Sequence, residues 1–293
     1  MVRGIPSNAI PAPTIEEGTG MKVLRKVLIV ILLIVFLGSA GMVARILWQY
    51  QAAEQLYEES AQQYTTVIEQ TEPPADTQEE ESSSLTPEQA VVERAPIQVD
   101  FDALQQANPQ VVGWIYCPDT VINYPVVQGT DDEYYLHRAY DGTYSNSGSI
   151  FVEAENQANF QDSNTIIYGH HMKNQTMFAT LSKWFDQSYY EAHPVMWLLT
   201  PEQDYKLVLF SGYTTSATSS TYTVYSGGGQ AFLNYLEQAL NRSEFQTQFQ
   251  PEEDGHYVVL STCAYVFDDA RYVLHGQLVP VASAGGVPTD EAD

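Results

Sequence analysis

A thiol at the end of one apolar run and a guanidinium at the start of the next set the chemistry this chain can do. Val258-Val259-Leu260-Ser261-Thr262-Cys263 stops on the thiol, Phe267-Asp268-Asp269-Ala270 reads as a turn, and Arg271-Tyr272-Val273-Leu274-His275 opens a second apolar run. Two β-strands joined by a short loop bring Cys263 and Arg271 to one end of a sheet. The thiolate is the nucleophilic form of cysteine and a guanidinium stays charged in any protein environment, so the pair suits acyl transfer once a base is supplied. The candidate base lies upstream, where Asn164-Thr165-Ile166-Ile167-Tyr168-Gly169 ends on His170-His171. Histidine trades a proton near neutral pH, and neighbours on a strand face opposite ways, so the two imidazoles should point in different directions.

Taken together, Leu260-Ser261-Thr262-Cys263 with Arg271, and Tyr168-Gly169-His170-His171-Met172 followed by Met177-Phe178, resemble the motifs of the sortase family, most closely its class B, over about residues 98–281. The resemblance implies a cysteine transpeptidase. Cys263 would attack the backbone carbonyl of a Thr in the C-terminal sorting signal of a surface protein and hold the product as a thioester. His170, directly after the glycine, would be the proton donor and acceptor, and Arg271 would hold the substrate carbonyl and stabilise the oxyanion. The thioester would pass to an amine of a peptidoglycan precursor or a pilin subunit. Neither a metal nor an organic cofactor is implied. Tyr168, Ser261 and Thr262 border the motifs and, with Asn123 and its neighbour Tyr124, are candidate substrate-binding residues, as is the Ser- and Thr-rich segment 213–225. Turn and edge roles explain these positions equally well. Two other classes remain to be told apart from transfer: a Cys–His endopeptidase of cell-wall peptides, in which water replaces the amine, and a non-catalytic surface adhesin.

The elements that must position these groups are read from periodicity. Apolar segments at 111–116, 121–127, 149–152, 165–168, 195–199, 205–213, 257–262 and 272–281 are separated by Gly, Pro, Asn and Asp, and point to a closed or nearly closed, mainly β barrel. This agrees with the eight-stranded barrel that the resemblance implies. Helical inserts are expected over 99–107, 177–184, 187–192 and 229–241; in the last, Phe232, Leu233, Leu236 and Leu240 recur at helical spacing after three glycines. A long helix between the sixth and seventh strands and an N-terminal helical extension are marks of class B. The inhibitory lid of class C carries an aromatic anchor, and residues 71–96 contain no aromatic residue.

Outside this domain, composition assigns the segments. Residues 1–22 read as a cytoplasmic tail, and 23–48 as a transmembrane signal anchor: Lys22, Arg25 and Lys26 precede the uncharged run Val27–Ala44, and Trp48 and Tyr50 mark the far interface. Gly38-Ser39-Ala40 offers small residues for processing, but the apolar run exceeds the ~7–15 residues of a signal-peptide core. A single-pass membrane protein with an extracytoplasmic domain, in a Gram-positive envelope, is expected. Residues 49–96 read as a helix followed by an acidic Pro/Ser/Glu linker, 97–282 as the catalytic domain and 283–293 as a disordered tail.

With 12 basic against 37 acidic residues, the formal charge of −25 excludes nucleic acid as an expected partner. Two cysteines are too few for a disulfide scaffold, and a bridge between Cys117 and Cys263 would consume the nucleophile, so both are expected as free thiols. His137, His193, His256 and His275 have no motif around them, and no cluster has metal-ligand spacing.

Overall fold

The structure, a computed structural model, describes residues 19–68 and 93–282. The tail over residues 1–18, the acidic linker over 69–92 and the terminal segment 283–293 lie outside the described residues. Two compact units are formed, Met1–Trp48 and Gln49–Asp293.

In the first unit the apolar run is wholly helical, as the N-terminal part of helix α1 (Thr19–Tyr64). It is long and apolar enough to cross a membrane, and among the described residues it is the one helix that is.

The second unit is a closed barrel. Its strands are β3 (Val111–Tyr116), β4 (Asn123–Val127), β5 (Ile150–Val152), β6 (Asn164–Tyr168), β7 (Val195–Leu199), β8 (Asp204–Ser216), β9 (Tyr257–Cys263) and β10 (Ala270–Val281). Around the barrel they run β10-β8-β7-β3-β4-β5-β6-β9, and β9 pairs with β10 to close it. The pairs β4–β5 and β6–β9 are parallel, and the rest are antiparallel. All eight expected segments are strands, because Val, Ile, Leu and Tyr fit a pleated, half-buried surface and the turns between them supply breaks.

Alternation along β9 sorts two cores. Val258 and Leu260 face the barrel interior, whereas Tyr257 and Val259 face outward onto a second cluster with Ile166, Phe210, Val273 and the helix α4 (Gln230–Arg242). Helix α4 begins after Gly229 and buries Phe232, Tyr235, Leu236 and Ala239, an i, i+3, i+4, i+7 stripe. The sequence pattern puts Leu233 and Leu240 on that stripe; both are only partly buried, because the helix turns its tyrosine and alanine inward instead. Burial of Phe232 and Leu236 stabilises the helix by about 1.5–3 kcal/mol for each side chain.

Where a helix leading into a linker is expected, the protein builds part of its fold. Ala53, Tyr57, Ser60 and Tyr64 on one face of α1 are buried. Strand β1 (Thr65–Val67) then pairs antiparallel with β2 (Ile97–Val99), and the amide of Ile68 donates to the Pro96 carbonyl at 2.9 Å. Residues 65–68 and 96–99 therefore run side by side, and helix α2 (Phe101–Ala107), capped by the Asp100 carboxylate on the Ala103 amide, follows directly. The other inserts are a 3₁₀ turn over Ala179–Phe185 and helix α3 (Gln187–Ala192), which starts on the Asp186 cap.

His275 is fully buried under α4, stacked on Tyr213 at 5.3 Å with its Nε2 3.1 Å from the Tyr235 hydroxyl. Burial, helped by the Arg242 charge, pushes its pKa down to about 3. The native ring stays neutral where the unfolded ring, near 6.5, takes up a proton, so stability present above pH 6.5 is lost as pH falls toward 3. The slope is about 1.4 kcal/mol per pH unit for one proton. Urea titrations between pH 4 and 6 are expected to show that slope reduced by about one proton in His275→Gln; an unchanged slope would mean that His275 is charged in the native state.

Candidate active site

Register alone aligns the chemistry. In the β6–β9 ladder Tyr168 is opposite Ser261, and in the β9–β10 ladder Cys263 is opposite Arg271. Continuing the parallel register by two positions sets His170 level with Cys263. The Gly169 amide donates to the Ser261 carbonyl at 3.0 Å, which holds the end of β6 against β9. Period two then puts Tyr168 and His170, Ser261 and Cys263, and Arg271 on the outward face of the barrel. These residues, with Asp132, Leu136, Phe151, Gly169 and Thr262, line one open cleft.

Gly169 is glycine for a steric reason. A Cβ there would lie 2.6 Å from both Ile150 Cδ1 and the Phe178 ring, so a side chain would force the histidine turn off the barrel. Nε2 of His170 lies 2.7 Å from the Leu136 carbonyl. A carbonyl only accepts, so Nε2 carries the hydrogen and Nδ1 of the neutral ring is the free acceptor. Burial pushes the His170 pKa down, the Leu136 carbonyl works against that shift, and the nearby His137 adds to it. His137 stacks on His170 with ring centroids 6.2 Å apart. The neutral ring therefore predominates at neutral pH, ready to take a proton.

Cys263 is a free, half-buried thiol, and its carbonyl accepts from Nδ1 of His171 at 2.8 Å. The two adjacent histidines thus divide the work: one faces the cleft and the other pins the backbone of the cysteine. Arg271 donates from Nη1 to the Ala270 carbonyl at 3.1 Å. It forms no ion pair with Asp268 or Asp269; among the described residues the one ion pair is Lys206–Glu93. Its charge is thus left to the cleft, where it helps lower the Tyr222 phenol, which burial pushes up to about 12.

The candidate substrate-binding residues divide. Ser261 Oγ is 2.8 Å from the Tyr222 hydroxyl, and Tyr168 donates to Glu153 Oε2 at 2.7 Å. Thr262 also lines the cleft, but it falls on the inward-facing period of β9, and its buried Oγ1 has no hydrogen-bond partner among the described residues. Asn123 lies elsewhere: it accepts from the Trp114 indole at 2.7 Å and lines a different groove, with Tyr124, between α1 and the barrel. From segment 213–225, Tyr222 reaches the edge of the cleft, and Tyr213 belongs to the α4 core.

Two cleft residues, and one that bonds a cleft residue, escape sequence reasoning. The Leu136 carbonyl leaves no sequence signal, since any residue supplies one. Asp132 sits within Asp131-Asp132-Glu133, which reads as a solvated run. Glu153, whose pKa burial and a hydrogen bond to Asp132 both raise, has no motif. Cys117 is fully buried, its Sγ 3.8 Å from the Val195 carbonyl, and burial pushes its thiol up to about 12. Among the described residues no group of three or more His, Cys, Asp and Glu could hold a metal.

A nucleophilic sulfur, a neutral imidazole and an unpaired guanidinium in one open cleft can form an acyl-enzyme, move the accompanying proton and balance charge on a carbonyl oxygen. A family model described as a sortase domain matches residues 115–279. Sortase B of Listeria monocytogenes is 34% identical over 180 residues, covering 60% of this chain and 72% of that protein. Sortase B from B. anthracis, solved in complex with AAEK1, superposes with a TM-score of 0.64 at 31% identity, over 80% of this chain and 99% of that one. A Staphylococcus aureus sortase B–substrate complex does so with a TM-score of 0.59 at 29% identity, over 62% and 85% of the two chains.

Proposed function

Because this chain belongs to the sortase family, as a class B cysteine transpeptidase, we propose that it cleaves a C-terminal sorting signal of surface proteins and passes the acyl product to an amine. The reading is carried by the shared cleft of Cys263, His170 and Arg271. Cys263 gives its proton to His170 Nδ1 and attacks the scissile carbonyl. Arg271 holds the carbonyl oxygen as it becomes an oxyanion. His170 then returns the proton to the leaving amine, and the thioester forms. In the second half-reaction the incoming amine loses its proton to His170 and displaces Cys263, because the reverse route uses the same groups. The acceptor is the amine of a peptidoglycan precursor or of a pilin subunit. The helical run within Val23–Trp48 anchors the enzyme as a single-pass span, with the N-terminal basic residues on the cytoplasmic side and the barrel outside.

Peptide libraries carrying candidate sorting signals, presented with and without oligoglycine or diaminopimelate-containing acceptors, test the reading. The expected outcome is a new amide product that increases with acceptor at the expense of hydrolysis. Hydrolysis that no acceptor redirects would favour an endopeptidase, and no cleavage of any signal, together with no thioester, would favour an adhesin.

A further inference from the structure

The phenol of Tyr57 connects helix α1 to the turn that carries His170. Tyr57 is buried, and its hydroxyl donates to the Gly148 carbonyl at 2.5 Å and lies 3.4 Å from Ser149 Oγ. Ser149 Oγ in turn donates to the Arg138 carbonyl at 2.8 Å, so the Gly148–Ser149 corner is held from two sides. Burial pushes the Tyr57 pKa far up, which keeps the hydroxyl a donor at any working pH.

Gly148 meets the histidine directly. Its φ of +56° is in the left-handed region. A Cβ there would lie 2.9 Å from His170 Cδ2 and 2.7 Å from each of the Tyr135 and Leu136 carbonyls. The glycine backbone therefore packs on the imidazole and on the same Leu136 carbonyl that binds Nε2. Any shift of this corner moves both the ring and the group that sets its tautomer.

A second brace starts from the same side chain. The Tyr57 ring meets Tyr124 edge-on, with centroids 5.4 Å apart at 88°. The Tyr124 hydroxyl accepts from the Met177 amide at 3.0 Å, and Met177, at φ +56°, bridges to His171. The Phe178 amide donates to the His170 carbonyl at 3.1 Å. Both flanks of the turn 170–178 are thus tied to one aromatic residue of α1. Nothing in the motifs singles out position 57.

We propose that Tyr57 is a positioning residue for His170: by fixing Gly148 and, through Tyr124, Met177, the helix segment after residue 49 holds the imidazole at the angle from which Nδ1 serves Cys263. This rests on the reading of His170 as the proton carrier. The barrel alone, beginning near Ala95, lacks this brace, so the competent catalytic unit includes α1 from Gln49.

The test uses the full chain in lipid nanodiscs. Tyr57→Phe keeps the ring and deletes the hydroxyl; Tyr64→Phe deletes another hydroxyl on the same helix face and serves as the control. Three quantities are measured: kcat and KM with a peptide the wild type transfers, thermal midpoint, and the pH dependence of Cys263 alkylation by iodoacetamide. The groups that face His170 in the cleft are Cys263, Arg271, Asp132 and His137, and all are unchanged in both variants.

The expected result for Tyr57→Phe is about a tenfold fall in kcat with KM within about twofold, since small misplacements of a reacting group cost rate rather than binding. The alkylation profile should shift, and Tyr64→Phe should match the wild type. Wild-type kcat and an unshifted profile in Tyr57→Phe overturn the proposal, as do equal losses in both variants, which would make helix docking in general responsible. If Tyr57→Phe does not fold, Gly148→Ala decides: it leaves the phenol in place but sets a Cβ against the His170 ring, and wild-type behaviour there overturns the proposal. The alkylation profile needs no peptide, so it judges this inference separately from the transpeptidase reading.

Discussion

Cys263→Ala is expected to leave no thioester and no transfer product, a loss of at least about 10⁴-fold in kcat. Removal of a nucleophile leaves only what binding and charge stabilisation supply. The side chain is half-buried at the mouth of a cleft, and its replacement opens no core cavity, so the thermal midpoint should stay within about 3 °C of wild type. Mass spectrometry after incubation with an intact sorting-signal peptide that the wild type cleaves reads the result directly: an acyl adduct on the wild type and none on the variant. Cys117→Ala should behave in the opposite way. It keeps its adduct and its rate but loses stability, because Cys117 is fully buried in the barrel. An adduct that persists in Cys263→Ala and disappears in Cys117→Ala would overturn the assignment of the nucleophile.

Arg271→Lys carries the second-largest expected effect, a fall of about 10²–10³ in kcat with a smaller change in KM, comparable to the loss of one oxyanion donor. The charge is kept and the geometry is not. A guanidinium can donate back to the Ala270 carbonyl from Nη1 and still present its other N–H groups to a substrate oxygen. An ammonium is a compact point charge on a flexible stem and must choose one partner. No ion pair with Asp268 or Asp269 is lost in the change, so a fall in rate reports on the cleft rather than on the loop. Burst kinetics separate the steps: slow acylation in Arg271→Lys is expected, and a rate equal to wild type in both half-reactions would remove Arg271 from the chemistry.

The strands and their chemistry were legible because their signals are local. Runs of Val, Ile, Leu and Tyr with Gly, Pro, Asn or Asp between them mark the eight strands, and Gly-His and Thr-Cys lie at strand ends where a side chain can face out. Helix α4 was legible as a helix, but which of its residues point inward was not: Tyr235 and Ala239 displaced Leu233 and Leu240 because the outer surface of the barrel, with Phe210 and Tyr257, fixes the rotation of the helix. Segment 49–64 read only as a helix leading into the linker. Its burying face, Ala53, Tyr57, Ser60 and Tyr64, mixes small and hydroxyl-bearing residues, which look polar until their partners are known.

What the amino-acid order offered by itself is the set of candidates for the site, a sulfur, a Gly-His-His pair and a guanidinium at strand ends, with the motif resemblance pointing to His170 of the pair, since residue type and order are properties of the chain. Only the tertiary structure decided how they face one another. The parallel β6–β9 register levels His170 with Cys263, and the next residue, His171, reaches the Cys263 carbonyl across 92 residues of chain. A carbonyl from Leu136, 34 residues away, selects the ring nitrogen that stays free, and a phenol from α1 steadies the corner beside it. Backbone carbonyls and distant hydroxyls act by direction and distance, and those are set by packing between segments rather than by any local pattern.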